Sequence, residues 1–257
     1  MKLFITKNKK LGDKKAFEII KNQLLKNPSS LLGLAAGKTT DDLYKLISRD
    51  SVKHPNIWEK LKIFQIDENI GIKPDSPLSF NHEIRRELKP LIKILNKKNI
   101  FLMDGTKNPK KTISKGYRFV KKNKWIDLII LGIGPEYDPH IAYNTTRKSN
   151  LNSRMRVVDL HPKTIHVIAR KHKVLTKQSQ NRITVNYMPQ QGITLGIKDI
   201  LECKKILLIA YGKDKAKSLK LALKGKVNIK KVPASALQLH KDLKVVIDKE
   251  AARLIDN

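Results

Sequence analysis

The chain has 257 residues, 54 Lys+Arg against 23 Asp+Glu, a formal net charge of +31 and a single cysteine. One cysteine excludes an intramolecular disulfide and a cysteine-rich metal site, and no apolar run approaches the length needed to span a bilayer. The charge invites a polyanion partner, but only 10 of the 54 cations are Arg, the lysines are dispersed and aromatics make up 5%, so neither bidentate phosphate recognition nor a base-stacking platform is apparent and nucleic acid is disfavoured.

The first residues, Met1 to Thr6, lack the apolar core of a signal peptide, and a cytoplasmic, reducing location is expected. Apolar spacing predicts a helix over 13–26, with Asp13 as its cap and Ala16, Phe17, Ile20 and Leu24 on one face. Residues 31–36 read as a short buried strand. Gly37-Lys38-Thr39-Thr40 and a helix through Ile47 follow. A strand, a glycine turn, hydroxyl residues and a helix start form an arrangement that takes up phosphate on unpaired backbone N–H groups. Gly33 and Gly37 are separated by three residues where a nucleotide P-loop needs four, so that motif is rejected. An ordinary glycine-bearing turn with Thr39 or Thr40 as N-cap is the plainer alternative.

The next strand, 61–66, ends in Asp67-Glu68. Adjacent side chains on a strand point to opposite faces, so one carboxylate can enter a cleft while the other turns away. An amphipathic helix over about 79–95, a strand over 99–103 and a basic helix over 111–123 follow. Residues 126–131 then form the most apolar strand, which leads through Gly132 and Gly134 to Asp138 and His140. A carboxylate two residues from an imidazole, at a strand's carboxyl end, is a candidate proton-handling pair. The stretch 145–157, with Arg147, Arg154 and Arg156, reads as a polar loop or anion-contacting flap. Residues 164–168 are predicted as a strand, and His161, His166 and His172 lack metal-like grouping. Cys203 is expected to be half-buried packing ahead of a strand over 205–210. That strand delivers Tyr211-Gly212-Lys213-Asp214-Lys215 into a helix reaching Leu223, where Lys215 opposes the helix dipole and hints at an anion nearby, the alternative being a side chain that snorkels to solvent. A short helix over 235–240, a strand over 243–248 and a terminal helix close the chain.

Strands alternating with helices through short loops, without compositional break or repeat, predict one α/β domain over 1–257 with a largely parallel, doubly wound sheet.

Several stretches then resemble one family. Leu32 to Thr40 with Tyr44, Asp67-Glu68-Asn69-Ile70-Gly71-Ile72, the turn from Gly132 to Asn144, Gly212 to Ala216, and Pro233 to His240 onward are together similar to glucosamine-6-phosphate deaminase. The related 6-phosphogluconolactonases share the glycine turn, the Asp-His turn and the C-terminal segment but tend to carry Arg after the acid pair. The resemblance implies a Rossmann-like modified fold acting on a hexose phosphate, without metal or redox cofactor. It implies Asp67 as the base that moves the C2 proton in aldose–ketose isomerisation, and His140, supported by Asp138, as the group that opens the sugar ring. Gly37, Lys38 and Thr39, with Lys215, would hold the phosphate. Glu68, Glu136 and Thr40 are secondary candidates. Glucosamine 6-phosphate would then give fructose 6-phosphate and ammonia, with a sugar-phosphate lactonase or a non-catalytic sugar-phosphate sensor as the alternatives. A sensor would carry an attached DNA-binding domain, for which no room is expected before residue 13. Oligomeric state is left open, a homo-oligomer included.

The chain also departs from the family pattern. Glu136-Tyr137 is inserted before Asp138, so either Glu136 or Asp138 stands in the catalytic acid's place. Thr145 replaces a glutamate that assists the ring-opening histidine. Lys38 stands where glycine or serine is usual and Thr40 where proline is usual. The arginine that grips the phosphate aligns near Ile165, where this chain has no cation.

Overall fold

A computed structural model describes residues 1–171 and 188–255, with side chains for all of these except 167–171. Its centre is a seven-stranded sheet in which every pairing is parallel. The strands are β1 (Lys2–Thr6), β2 (Leu31–Leu34), β3 (Lys62–Gln65), β5 (Ile100–Phe101), β6 (Leu128–Leu131), β9 (Ile206–Ala210) and β10 (Leu243–Asp248). Their spatial order is β1-β10-β9-β6-β2-β3-β5. A three-stranded antiparallel sheet, β4 (Asp67–Asn69), β8 (Gln191–Thr194) and β7 (Arg156–Asp159), stands beside it in the order β4-β8-β7.

The central strands are buried on both faces, and their side chains alternate between two cores. Along β6, Ile129 and Leu131 enter one cluster and Leu128 and Ile130 the other. Along β9, Ile206 and Leu208 divide from Leu207 and Ile209 in the same way. Such strands read as unbroken apolar runs, because a parallel sheet has helices on both sides. Helices α1 (Lys9–Lys26) and α2 (Asp41–Lys53) cover one face, through Ala16, Ile20, Leu24, Leu43, Tyr44 and Ile47. The short α3 (Pro55–Trp58) brings Trp58 to that side, and α4 (Phe80–Glu87) and α5 (Lys89–Ile94) add Ile84 and Leu91. Helix α6 (Pro109–Lys122) lies on the other face, with α8 (Ile197–Leu201), α9 (Ala216–Leu223) and α10 (Lys249–Ala252). Helix α7 (Pro162–Lys171) backs the small sheet, where Ile165 packs with Tyr143, Val158, Leu160 and Met188.

The α/β, doubly wound, parallel expectation therefore describes the molecule, but several local expectations are corrected. Residues 164–168 are helical, within α7, because Pro162 opens a helix at its first turn, where its missing N–H costs nothing. Asp13 does not cap α1. Asn8 does, accepting the Leu11 N–H at 3.1 Å, while Asp13 is buried one turn inside and takes Lys9 at 2.7 Å. The single helix over 79–95 is two, broken where Leu88 leaves helical geometry ahead of Pro90. The 145–157 stretch runs into strand β7, and Met1–Thr6 supplies β1, paired with β10 in register Lys2↔Lys244 to Thr6↔Asp248. The segment predicted as helix over 235–240 is a 3-10 stretch, Pro233–Leu239. Cys203 is 2% exposed rather than half-buried, and is a free thiol. His172 lies outside the described residues, among which no group of His, Cys, Asp and Glu is placed to hold a metal. No helix of the described residues is long and apolar enough to cross a membrane.

Strand order decides where chemistry can sit. From β2 the chain builds outward through β3 and β5, then returns to the other side of β2 with β6 and builds outward through β9 and β10. The reversal falls between β2 and β6. The loops leaving the carboxyl ends of those two strands must diverge there, which opens a crevice in open α/β sheets.

Candidate active site

A cavity of about 180 Å³ occupies that crevice. Its walls are Ala35, Ala36, Thr39 and Thr40 after β2; Asp67 and Phe80; and Gly132, Ile133, Gly134, His140, Ala142 and Tyr143 after β6. The acid pair, the glycine turn and the Asp-His turn, remote in sequence, meet in it.

Asp67 is 6% exposed and opens onto the cavity from the first residue of β4. Burial, followed by the charges of Glu68 and Glu83, pushes its carboxyl up to about 8. A carboxyl titrating there can accept and return a proton near neutral pH. Its neighbour Glu68 faces the other way and takes no part in the walls. The two Glu68 oxygens accept from Gln65 Nε2 (3.0 Å), the Asn69 N–H (2.8 Å), the Ser79 hydroxyl (2.8 Å), and the Phe80 (3.0 Å) and Asn81 (2.8 Å) N–H groups. Three of those donors belong to the start of α4, whose free N–H groups and dipole favour a negative charge. Glu68 thus fixes the helix that sets Phe80 in the cavity wall, and Phe80 stacks on Tyr143 with ring centroids 5.7 Å apart.

The opposite wall is the turn after β6. Gly134 donates its N–H to the His140 carbonyl at 2.9 Å and closes the turn. A Cβ on Gly134 would stand 2.3 Å from the Asp138 carbonyl oxygen and 2.6 Å from His140 Nδ1, so only glycine admits this fold-back. Asp138 is fully buried, with Oδ2 2.9 Å from His140 Nδ1 and Oδ1 accepting the Thr146 N–H at 2.8 Å. Burial alone would raise the Asp138 carboxyl. The hydrogen bond and charge of His140, the Thr146 N–H and the charge of His161 outweigh it and hold Asp138 below its ordinary value. A carboxylate kept charged against Nδ1 orients the imidazole and leaves Nε2 as its other reactive atom. Of the two acids at this turn, the buried partner of His140 is Asp138. Glu136 is exposed and pairs with Lys217.

The remaining candidates are spread over the rim. Gly37 has φ +132°, a conformation side chains rarely adopt, and none of the Gly37, Lys38 and Thr39 N–H groups donates to a backbone carbonyl among the described residues. The Lys38 side chain is exposed and does not wall the cavity. Thr40 precedes α2, but its hydroxyl binds the Gly37 carbonyl at 2.9 Å instead of capping the helix. Lys215 lies past the end of β9, two strands from β2 on the same edge of the sheet, 3.4 Å from Asp214. Thr145 is 5% exposed, and its carbonyl accepts the Ser149 hydroxyl at 2.8 Å. Ile165 belongs to the core of the small sheet.

Phe80 and Tyr143 were not singled out as cavity walls from the sequence. Tyr143 lay inside a conspicuous motif, and its OH donates to Asn69 Oδ1 at 2.8 Å. Phe80 has no local signal, because it reaches the cavity only through the Glu68 contacts.

Comparison with known proteins places the chain in a family. The family described as glucosamine-6-phosphate isomerases/6-phosphogluconolactonase matches residues 12–247. A glucosamine-6-phosphate deaminase of Thermoanaerobacter sp. is 35% identical over 256 residues, covering 99% of this chain and 95% of that protein. One from Lactobacillus helveticus is 33% identical, covering 100% of this chain and 98% of its own. Among solved structures, a monomeric glucosamine-6-phosphate deaminase superposes with a TM-score of 0.86 at 28% identity, covering 99% of this chain and 100% of that one. The 6-phosphogluconolactonase of Thermotoga maritima shares the fold, with a TM-score of 0.72 at 20% identity over 96% and 98% of the two chains. Matched along nearly its whole length by pattern, sequence and fold, this chain belongs to the family of glucosamine-6-phosphate isomerases and 6-phosphogluconolactonases.

Proposed function

We propose that this protein is a glucosamine-6-phosphate deaminase, which converts glucosamine 6-phosphate and water into fructose 6-phosphate and ammonia. The observation that carries the proposal is the meeting of a carboxyl titrating at about 8, Asp67, with the His140–Asp138 pair in one crevice. His140 moves a proton between the C1 hydroxyl and the ring oxygen, which opens the sugar. Asp67 then removes the C2 proton of the open aldehyde, the 2-ammonium group gives a proton to the carbonyl oxygen O1 to leave an enolamine, and Asp67 returns its proton at C1. The C2 imine so formed takes up water and releases ammonia. Two proton shuttles are what this sequence demands, and one histidine alone would suffice only for hydrolysis.

Among the described residues the cavity walls carry no Lys or Arg. The phosphate is therefore held at the rim, by the N–H groups of Gly37, Lys38 and Thr39 at the start of α2 and by Lys215. Asp41 and Asp42 occupy the first turn of α2 and oppose an anion there, so the lysine is the stronger part of the grip. The soluble, cytoplasmic setting expected of a sugar-phosphate enzyme belongs to the same proposal.

Ammonia release from glucosamine 6-phosphate, measured beside hydrolysis of 6-phosphogluconolactone with its spontaneous rate subtracted, tests this directly. Ammonia that is lost on Asp67→Asn is the expected result. Lactone turnover without ammonia would overturn it in favour of the lactonase chemistry that His140 and Asp138 can perform without Asp67.

A further inference from the structure

A second, open groove of about 840 Å³ lies on the face of the sheet that α6 covers, and shares no lining residue with the crevice. It is lined by Lys110, Ile113, Ser114, Tyr117, Arg118 and Lys121 of α6, with Trp125, Arg154 and Glu202. Its size is that of a small-molecule site. Residues 110, 114, 117, 118 and 121 recur at helical spacing, so one face of α6 forms a wall.

The aromatic part is fixed in place. Tyr117 and Trp125 have ring centroids 6.4 Å apart at 26°. The Tyr117 hydroxyl donates to the Asp199 carboxylate (3.1 and 3.2 Å) and accepts the Met155 N–H (2.8 Å). The Trp125 indole N–H donates to the Asp199 carbonyl at 3.3 Å. Every polar atom of the two rings is engaged from behind, which leaves apolar ring surface for a guest. Trp125 also stands at φ +75°, directly after Lys124 at φ 55°. A bulky residue in that region is an outlier, retained where the surroundings hold it. The Trp125 N–H is bonded to the Val120 carbonyl at 2.8 Å. A strained main chain thus presents an indole at a cavity wall.

The charge is divided equally clearly. Arg154 is neutralised by Asp199 and by a bidentate contact with Glu202. Lys110, Arg118 and Lys121 are exposed and have no acidic partner among the described residues. Lys110, Ser114 and Arg118 run along α6 at intervals of four, so the stripe spans about 12 Å of axis. A pair of part-buried aromatic rings beside an exposed cationic stripe of that length complements one kind of guest, a planar base joined to a short chain of phosphates.

We propose that this groove is a nucleotide site, which takes a nucleoside diphosphate with its base against the exposed ring surface of Tyr117 and Trp125 and its phosphates along Lys110, Ser114 and Arg118. The site is independent of the sugar-phosphate crevice, and its test does not use catalysis. The chain has two tryptophans, and Trp58 is fully buried on the other face of the sheet, so Trp125 is the reporter. Titrating the full chain with ADP should quench its fluorescence saturably, with half-saturation below about 1 mM. The signal should persist in Trp58→Phe. Removing the exposed cations in Lys110→Ala/Arg118→Ala should weaken ADP at least about tenfold. Three results would overturn the proposal: no saturable change with ADP, an equal response to inorganic tripolyphosphate, or an unaltered ADP affinity in the double variant. Displacement of ADP by a short oligo(dA) at far lower concentration would reassign the groove to a nucleic-acid strand.

Discussion

Replacing Asp67 by asparagine should stabilise the protein while removing its activity, and the stabilisation should grow with pH. The Asp67 carboxyl titrates at about 8 in the folded chain and at 3.8 when unperturbed. The folded state therefore binds the proton more tightly than the unfolded state. Its contribution is fully present below the unfolded value and is lost as pH rises through the folded one. Each pH unit in that window removes about 1.4 kcal/mol, so from pH 5 to pH 7 the loss is about 2.7 kcal/mol. An asparagine side chain cannot ionise and escapes it. For a chain of this size about 1 kcal/mol moves Tm by about 2 °C. The Tm of Asp67→Asn should therefore pull ahead of the parent by about 5 °C between pH 5 and pH 7, measured by calorimetry in matched buffers. Other titrating groups cancel in the difference between the two proteins. The same carboxyl, acting as a base, should give the parent a kcat/KM that climbs about tenfold per pH unit and levels off above pH 8. A Tm difference that stays constant with pH would refute the raised carboxyl, and an acid limb near pH 4 would refute a base that titrates at about 8.

Three further outcomes follow from the same geometry. His140→Gln should lower turnover of the closed sugar by about 10²- to 10⁴-fold and spare an open-chain ketose substrate; equal losses in the two steady-state assays would remove the ring-opening role. In Glu68→Gln an amide N–H₂ faces buried donors, so urea unfolding should show a loss of about 2–4 kcal/mol. Removing that charge beside Asp67 should also shift the acid limb of kcat/KM below pH 8. Gly37→Ala forces a side chain into φ +132° at a cost of about 1–3 kcal/mol, and should raise KM for the sugar phosphate more than it lowers kcat; an unchanged KM would detach this loop from the phosphate.

The central strands were legible because burial on both faces leaves unbroken apolar runs such as Leu128 to Leu131, bounded by glycine. Where the sequence misled, a local signal competed with a tertiary one. Thr164-Ile165-His166-Val167-Ile168 is β-rich in composition, yet Pro162 and the packing of Ile165 against Val158 and Tyr143 make it helical. Asp13 suits a cap, but its carboxylate is engaged inside α1 by Lys9, which also reaches Asp42 of α2 at 2.6 Å. Strand β1 was invisible because its pattern is half exposed, and only β10, about 240 residues later, completes it.

The site was legible to the extent that its parts are short and local. The Asp138–His140 pair and the Gly134 turn are six residues apart or fewer, so spacing alone announced them. The choice between Glu136 and Asp138 required the structure, since it depends on which carboxylate is buried. Asp67-Glu68 shows the limit most clearly. Alternation along a strand says that the two carboxylates separate, but not which one enters the crevice. That is decided by Ser79, Phe80 and Asn81, a loop away in sequence, whose donors claim Glu68 and leave Asp67 to the cavity. The charge that Glu68 sets against the start of α4 is also one of the two that raise Asp67. Fold and electrostatics are therefore coupled at one dipeptide: the residue whose contacts set Phe80 in the wall also raises the Asp67 carboxyl across from His140.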